Sequence, residues 1–142
     1  MHFLQRRGRG EKRAKPLIEG EGISVGMGPG CYIGKRRLDA AMEPATPLYD
    51  FKVNWLPYQL WRSLSSEGID RRTQYGKFYG ERLQEKMAAL YKEANAVGVD
   101  LTAFLQPGSV MANTFQAHRL IHYAGQLGMQ SEVRLPLQLS SY

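Results

Sequence analysis

Gly28-Pro29-Gly30-Cys31-Tyr32-Ile33-Gly34-Lys35-Arg36-Arg37-Leu38 holds the single cysteine of this 142-residue chain, and it sits where two local patterns meet. Ahead of it Ile23, Val25 and Met27 alternate as residues of a strand do, although the neighbouring glycines weaken the pattern. Behind it Leu38, Ala41 and Met42 keep helical spacing through residues 32–42, and Pro44 ends the run. Cys31 is therefore expected at a strand–helix junction, just after a Gly-Pro-Gly turn. Free cysteine is among the most buried residue types and packs as a small hydrophobe, so core packing is the plain reading of a lone cysteine there. The chemical reading is a thiol redox site with one sulfur gone: in a Cys-X-X-Cys pair at a helix start the unpaired backbone N–H groups favour the anion of the first cysteine, and that position here is Gly28.

Working outward, Pro44, Thr46 and Pro47 form a connector to Tyr49–Leu56, where Phe51, Val53 and Trp55 alternate with Lys52 and Asn54; this is a strand, and Pro57 breaks it. Residues 63–70 read as loop. From residue 72 to 97 the apolar side chains of Tyr75, Phe78, Tyr79, Leu83, Met87, Leu90, Tyr91 and Ala94 recur every three or four positions, which predicts one long or two abutting amphipathic helices with Gly98 as the stop. Lys77, Glu81, Glu85 and Lys86 fall on the opposite side, as solvated ion pairs rather than catalytic carboxylates. After a loop through Pro107 and Gly108, Asn113-Thr114-Phe115-Gln116-Ala117-His118-Arg119-Leu120-Ile121 opens a last helix that runs to Gly128, with Asn113 or Thr114 as N-cap. His118 and His122 are four residues apart, a spacing able to share a metal. No carboxylate or third histidine lies nearby in sequence, so no metal site is expected.

Composition bounds the class. Hydrophobic residues make up 43% of the chain and aromatics 11%, enough for one globular domain with a real core. The net charge of +6 is concentrated in residues 1–15, where Arg6, Arg7, Arg9, Lys12, Arg13 and Lys15 face only Glu11. Such an arm reads as a flexible solvated tail. Nucleic-acid binding through it would be sequence-independent and salt-sensitive, and the absence of interleaved aromatics disfavours it. The arm has no apolar segment of the length a secretory signal needs; an organellar transit peptide is a weak alternative, since serine is absent and Glu11 present. No run approaches the roughly 18 apolar residues of a membrane span, so no membrane partner is expected. One cysteine excludes an intramolecular disulfide and fits a reducing, cytoplasmic setting.

Taken together, the run from Gly28 to Leu38 resembles the Cys-Pro-Trp-Cys-Tyr-Ile-Gly-Lys-Arg-Arg-Leu signature of the DsbA-like thioredoxin-fold oxidoreductases. The Asn113-to-Leu120 run resembles the Asn-Thr-x-x-Ala-His-Arg-Leu helix start of the branch that includes 2-hydroxychromene-2-carboxylate isomerases and kappa-class glutathione transferases. The resemblance covers about residues 23–130. It implies an α/β chain with a partial thioredoxin-like fold and a DsbA-type inserted helical region at about 67–128, between a basic arm (1–20) and a divergent tail (131–142). It also sets Gly28 at the attacking-cysteine position, Gly30 at the tryptophan position and Cys31 at the shielded resolving position. Pro29, His118 and Asn113 become candidate substrate-binding residues, with His118 either packing the inserted helices on the core or lining the cleft above Cys31.

The chemistry that follows is restricted. In dithiol exchange a thiolate attacks a disulfide and a second cysteine resolves the mixed disulfide. With Cys31 alone, mixed-disulfide formation remains but the intramolecular two-electron cycle does not. The expected function is thus a DsbA-family thiol-disulfide oxidoreductase homologue that is impaired or limited to single-cysteine chemistry; the alternative is a redox-silent module that binds glutathione or a peptide. Expected partners are thiols or disulfides, glutathione among them, with no resident cofactor. The later strands and cis-proline loop of the family have no counterpart before the chain stops. Uncovered sheet edges, and with them marginal stability or dependence on a partner, are expected.

Overall fold

The computed structural model describes residues 14–25 and 28–133. Elements follow in the order β1 (Leu17–Ser24), α1 (Pro29–Met42), β2 (Asp50–Pro57), β3 (Ile69–Asp70), α2 (Arg71–Tyr79), α3 (Leu83–Ala96), β4 (Val110–Met111) and α4 (Phe115–Gln126), with short 3-10 turns at Glu43–Ala45 and Gly80–Arg82. Strands β1 and β2 pair in parallel, from Leu17 opposite Asp50 to Ser24 opposite Pro57, with α1 as the crossover. The two-residue strands β3 and β4 pair antiparallel and tie the two ends of the helical region together.

The first strand lies earlier than its apolar alternation suggests. It starts at Leu17, so residues 17–20, grouped above with the basic arm, belong to the sheet; it ends at Ser24, and Gly26 and Met27 are outside the described residues. Glu19-Gly20-Glu21-Gly22 has little intrinsic strand preference. Its backbone is held by β2, and beyond the ladder the Asp50 N–H donates to Pro16 O (3.0 Å) and the Tyr58 N–H to Ser24 O (2.9 Å). Gly22 serves the packing too: a Cβ there would lie 2.5 Å from Cζ3 of Trp55, so only glycine lets that ring close over the strand.

Strand β2 alternates as expected, with Phe51, Val53 and Trp55 half-buried and Lys52 and Asn54 exposed, and Pro57 is its last residue rather than a break before it. The segment read as loop at 63–70 ends in β3. The 72–97 periodicity resolves into two abutting helices, parted at Gly80. Asp70 caps α2, accepting from the Thr73 hydroxyl at 2.7 Å and the Thr73 N–H at 2.8 Å, bonds that hold its carboxyl below the usual range. Gly98 stops α3 as expected: at φ +68° it donates to Asn95 O while the Val99 N–H reaches back to Ala94 O.

The core sits in the helical region and not on the sheet. Tyr75, Met87, Ala94, Val99, Leu101, Phe104 and Met111 are buried together, joined by Tyr32 and Ile33 from α1. Phe104 meets Tyr75 edge-on at 5.4 Å, and the buried Arg71 guanidinium lies 4.6 Å from the Phe104 ring centre while its Nη2 donates to Val110 O at 2.9 Å. On the sheet, by contrast, Leu17, Ile18 and Ile23 are 56%, 45% and 69% exposed. Uncovered apolar surface was the expectation for a sheet of two strands, which is what the described residues form.

Candidate functional site

Cys31 lies in the first turn of α1. Gly28 is the N-cap, Pro29 takes the first helical position where its missing N–H costs nothing, and the Cys31 N–H donates to Gly28 O at 3.1 Å. The thiol is half-buried rather than shielded. A Cβ at Gly30 would meet nothing within 4 Å, so the residue next to the thiol contributes no cover. In front of Cys31 opens a cavity of about 390 Å³, walled by Gly28 and Pro29 on one side and by Tyr75, Tyr79, Met87 and Leu90 on the other. The site is therefore the seam between the βαβ unit and the inserted helices. Lys86 and Glu93 stand at its margin, and Glu93 is ion-paired with Arg37, linking α3 to α1 directly below the thiol-bearing turn.

Position 28 has ordinary extended backbone (φ −81°, ψ 128°), so glycine is not demanded by conformation. A Cβ there would approach the Val25 Cγ2 methyl to 2.7 Å and no other group within 4 Å, so a side chain at 28 needs Val25 to move. Tyr75 is the most perturbed titrating group near the thiol. Burial, then the neighbouring Tyr79, pushes its phenol up to about 12, so it stays a neutral wall of the cavity.

The three candidate substrate-binding residues separate. Pro29 is buried and lines the Cys31 cavity. Asn113 is a staple between loop and helix: its side-chain oxygen accepts from Gln59 Nε2 (2.7 Å) and from the Phe115 N–H (2.9 Å), while its Nδ2 donates to Arg62 O (3.2 Å) and Leu64 O (2.9 Å). Asn113 thus supplies the oxygen at the start of α4, although Thr114 occupies the N-cap position and makes no side-chain cap bond. His118 is 6% exposed on α4 and lines a different groove, between α4 and the exit of β2, not the cavity at Cys31. Its Nε2 is buried with no hydrogen-bond partner among the described residues, and burial holds its pKa below the ordinary value against an opposing backbone bond to Tyr58.

His122 is exposed beside Gln126 and does not join His118 in a ligand set; among the described residues no group of three histidine, cysteine or carboxylate side chains could hold a metal. Of the expected ion pairs on α2 and α3, Glu85 pairs with Arg82 at 3.5 Å instead of with a lysine. Tyr75, Tyr79 and Leu90 were legible only as members of a helical stripe. Their role as cavity walls depends on how α2 and α3 pack against α1, for which no local signal exists.

Comparison with known proteins identifies this domain, a parallel βαβ unit facing a helical region. The DsbA-like thioredoxin domain family matches residues 27–137. The chain belongs to the DsbA-like family. Among solved structures, a probable DsbA oxidoreductase from Streptomyces coelicolor superposes with a TM-score of 0.68 at 21% sequence identity, over 89% of this chain and 53% of the other. The chain thus spans about half the length of that structure and shares the fold of its matched part, a partial thioredoxin-like α/β fold with helical insertion. No curated protein sequence matches it significantly. Among the described residues no helix is long and apolar enough to cross a membrane.

Proposed function

We propose that this DsbA-like chain is a thiol-disulfide exchange protein restricted to single-cysteine chemistry, in which Cys31 occupies the resolving position and Gly28 the place of the attacking cysteine. The observation that carries this reading is the half-buried Cys31 thiol in the first turn of α1, open to a cavity with apolar and tyrosine walls. The step is an exchange with no net oxidant. The Cys31 thiolate attacks one sulfur of a disulfide, the new Cys31–sulfur bond forms as the old sulfur–sulfur bond breaks, and the other half leaves as a thiolate. One glutathionyl half of glutathione disulfide, or the cysteine end of a small peptide disulfide, matches a cavity of about 390 Å³ in size. Pro29 would flank the bound sulfur; Asn113 and His118 act through the fold and not on the substrate. A reducing compartment such as the cytoplasm, where glutathione is abundant, is the setting in which such a thiol stays available.

The test is the reaction of native chain with oxidised glutathione, followed by intact mass. One glutathione per chain, absent from Cys31→Ser and reversed by dithiothreitol, is the expected outcome, with no turnover in insulin reduction. Gly28→Cys should introduce a dithiol that cycles, once Val25 adjusts. If Cys31 alkylates at the same rate in buffer as in strong urea, or if Gly28→Cys with native circular dichroism shows no dithiol-disulfide activity, the reading fails. A redox-silent glutathione-binding module would instead show calorimetric heat with reduced glutathione that survives Cys31→Ser.

A further inference from the structure

Between the exit of β2 and α4 runs a second groove, of about 900 Å³, which shares no lining residue with the Cys31 cavity. Its walls include Pro57, Arg62, Phe115, Arg119, Leu120 and Tyr123. Phe115, Leu120 and Tyr123 are 54%, 47% and 58% exposed, and Tyr58 and Leu60 on the adjoining loop are similarly open, an apolar surface of a kind that monomeric proteins rarely leave bare without use. The electrostatics are one-sided. Among the described residues, Arg62, Arg119 and His122 line the groove and no aspartate or glutamate does. Among the described residues neither arginine has a carboxylate partner: Arg119 Nη1 donates to the neutral Gln116 Oε1 at 3.0 Å, and the ion pairs of the chain lie elsewhere.

Shape narrows the occupant further. The lining runs along α4 from Phe115 to Gln126, roughly 16 Å at the helical rise, or about three turns. Because the backbone of α4 is bonded within the helix, this wall offers side chains rather than an open strand edge, so the fit is helix-in-groove rather than strand addition. We propose that the groove docks a short acidic amphipathic helix of another polypeptide, with its apolar stripe on Phe115, Leu120 and Tyr123 and its carboxylates on Arg62 and Arg119. The guanidiniums provide charge-assisted, orientation-setting bonds at the margin, and the aromatic and aliphatic side chains provide the buried area. The surface is independent of Cys31, so it stands or falls apart from the exchange chemistry.

A displayed library of random 14-residue peptides, panned on the full chain, tests it. The expected result is enrichment of sequences with Leu, Ile or Phe at helical spacing and Asp or Glu beside them. A selected peptide, labelled for fluorescence anisotropy, should bind Cys31→Ser as well as the unaltered chain. It should lose at least about tenfold in affinity to Arg62→Glu/Arg119→Glu with unchanged circular dichroism, and keep most of it with Arg62→Lys/Arg119→Lys. No enrichment, enrichment without acidic residues, or a charge-reversed variant that binds within about twofold would overturn the proposal. Displacement of the peptide by phosphatidylglycerol vesicles or by duplex DNA at equal charge concentration would overturn it in favour of a lipid or nucleic-acid surface.

Discussion

The inserted helical region and the parallel sheet of this chain are built to different standards of burial, and the thiol lies on the seam between them. Around Phe104 the helices and the 97–113 loop enclose a continuous core in which Leu101 and Phe104 are almost wholly removed from solvent. The β1–β2 pair shares a full eight-residue register, yet Leu17, Ile18 and Ile23 remain open. The strands are therefore held mainly by backbone pairing, with Trp55 over Gly22 and the Gln130 amide on β2 as side-chain support, whereas side-chain burial holds the helices. The lesson is that a site can borrow its rigidity from one neighbour: the Cys31 turn is anchored through Tyr32 and Ile33, which pack on the helical core and not on the sheet.

The largest expected effect comes from cutting into the better-buried half. Phe104→Ala removes the edge-on contact with Tyr75 and the ring beneath Arg71, and should cost about 3–5 kcal/mol in urea denaturation. Ile23→Ala on the open strand should stay within about 0.5 kcal/mol. Equal losses would mean that the sheet is covered in solution and that the contrast is false.

Next in size is Asn113→Ala. It leaves the Gln59 amide, the Phe115 N–H and the carbonyls of Arg62 and Leu64 without that partner, and should destabilise by about 1–3 kcal/mol, with little change in the alkylation rate of Cys31. A large change in that rate would reassign Asn113 to the thiol site. Smaller again is Gln130→Ala. The Gln130 amide accepts from the Trp55 N–H at 2.8 Å and donates to Trp55 O at 2.9 Å, bonding the edge of β2 as the backbone of a neighbouring strand would. Its loss should cost about 1 kcal/mol and speed amide hydrogen exchange in β2 while leaving α3 unaffected.

The mildest effect is on pH dependence. The depressed pKa of His118 means that the unfolded chain takes up its proton first as pH falls. The stability tied to the neutral imidazole is complete above the ordinary value of 6.5 and declines as pH drops through the folded value. Melting temperatures should fall on acidification from that side, and His118→Phe should flatten the profile. A profile unchanged by the substitution would show that the imidazole is solvated after all.

Much of this was written locally. The helix through Leu38, Ala41 and Met42, the Phe51-Val53-Trp55 alternation, the two abutting helical stripes and the Gly98 stop are each set by a few neighbouring side chains and their backbone preferences, although α1 starts at Pro29, inside the stretch read as a turn; family membership and fold class were legible from residues 28–38 and 113–120 alone. Where partners are distant, the sequence was silent. β1 has a glycine- and glutamate-rich stretch that becomes strand only because β2 lies beside it and Trp55 closes over Gly22. His118 and Cys31 carry family-like motifs, yet the fold sends them to separate grooves, because α4 packs at the exit of β2 while α1 packs on α2 and α3. Residue type and spacing thus determined that there is one thiol at a helix start. Which walls face it, and how far they cover it, was decided by long-range packing of α2 and α3 against α1, whose cost and gain are spread over contacts that no short window contains.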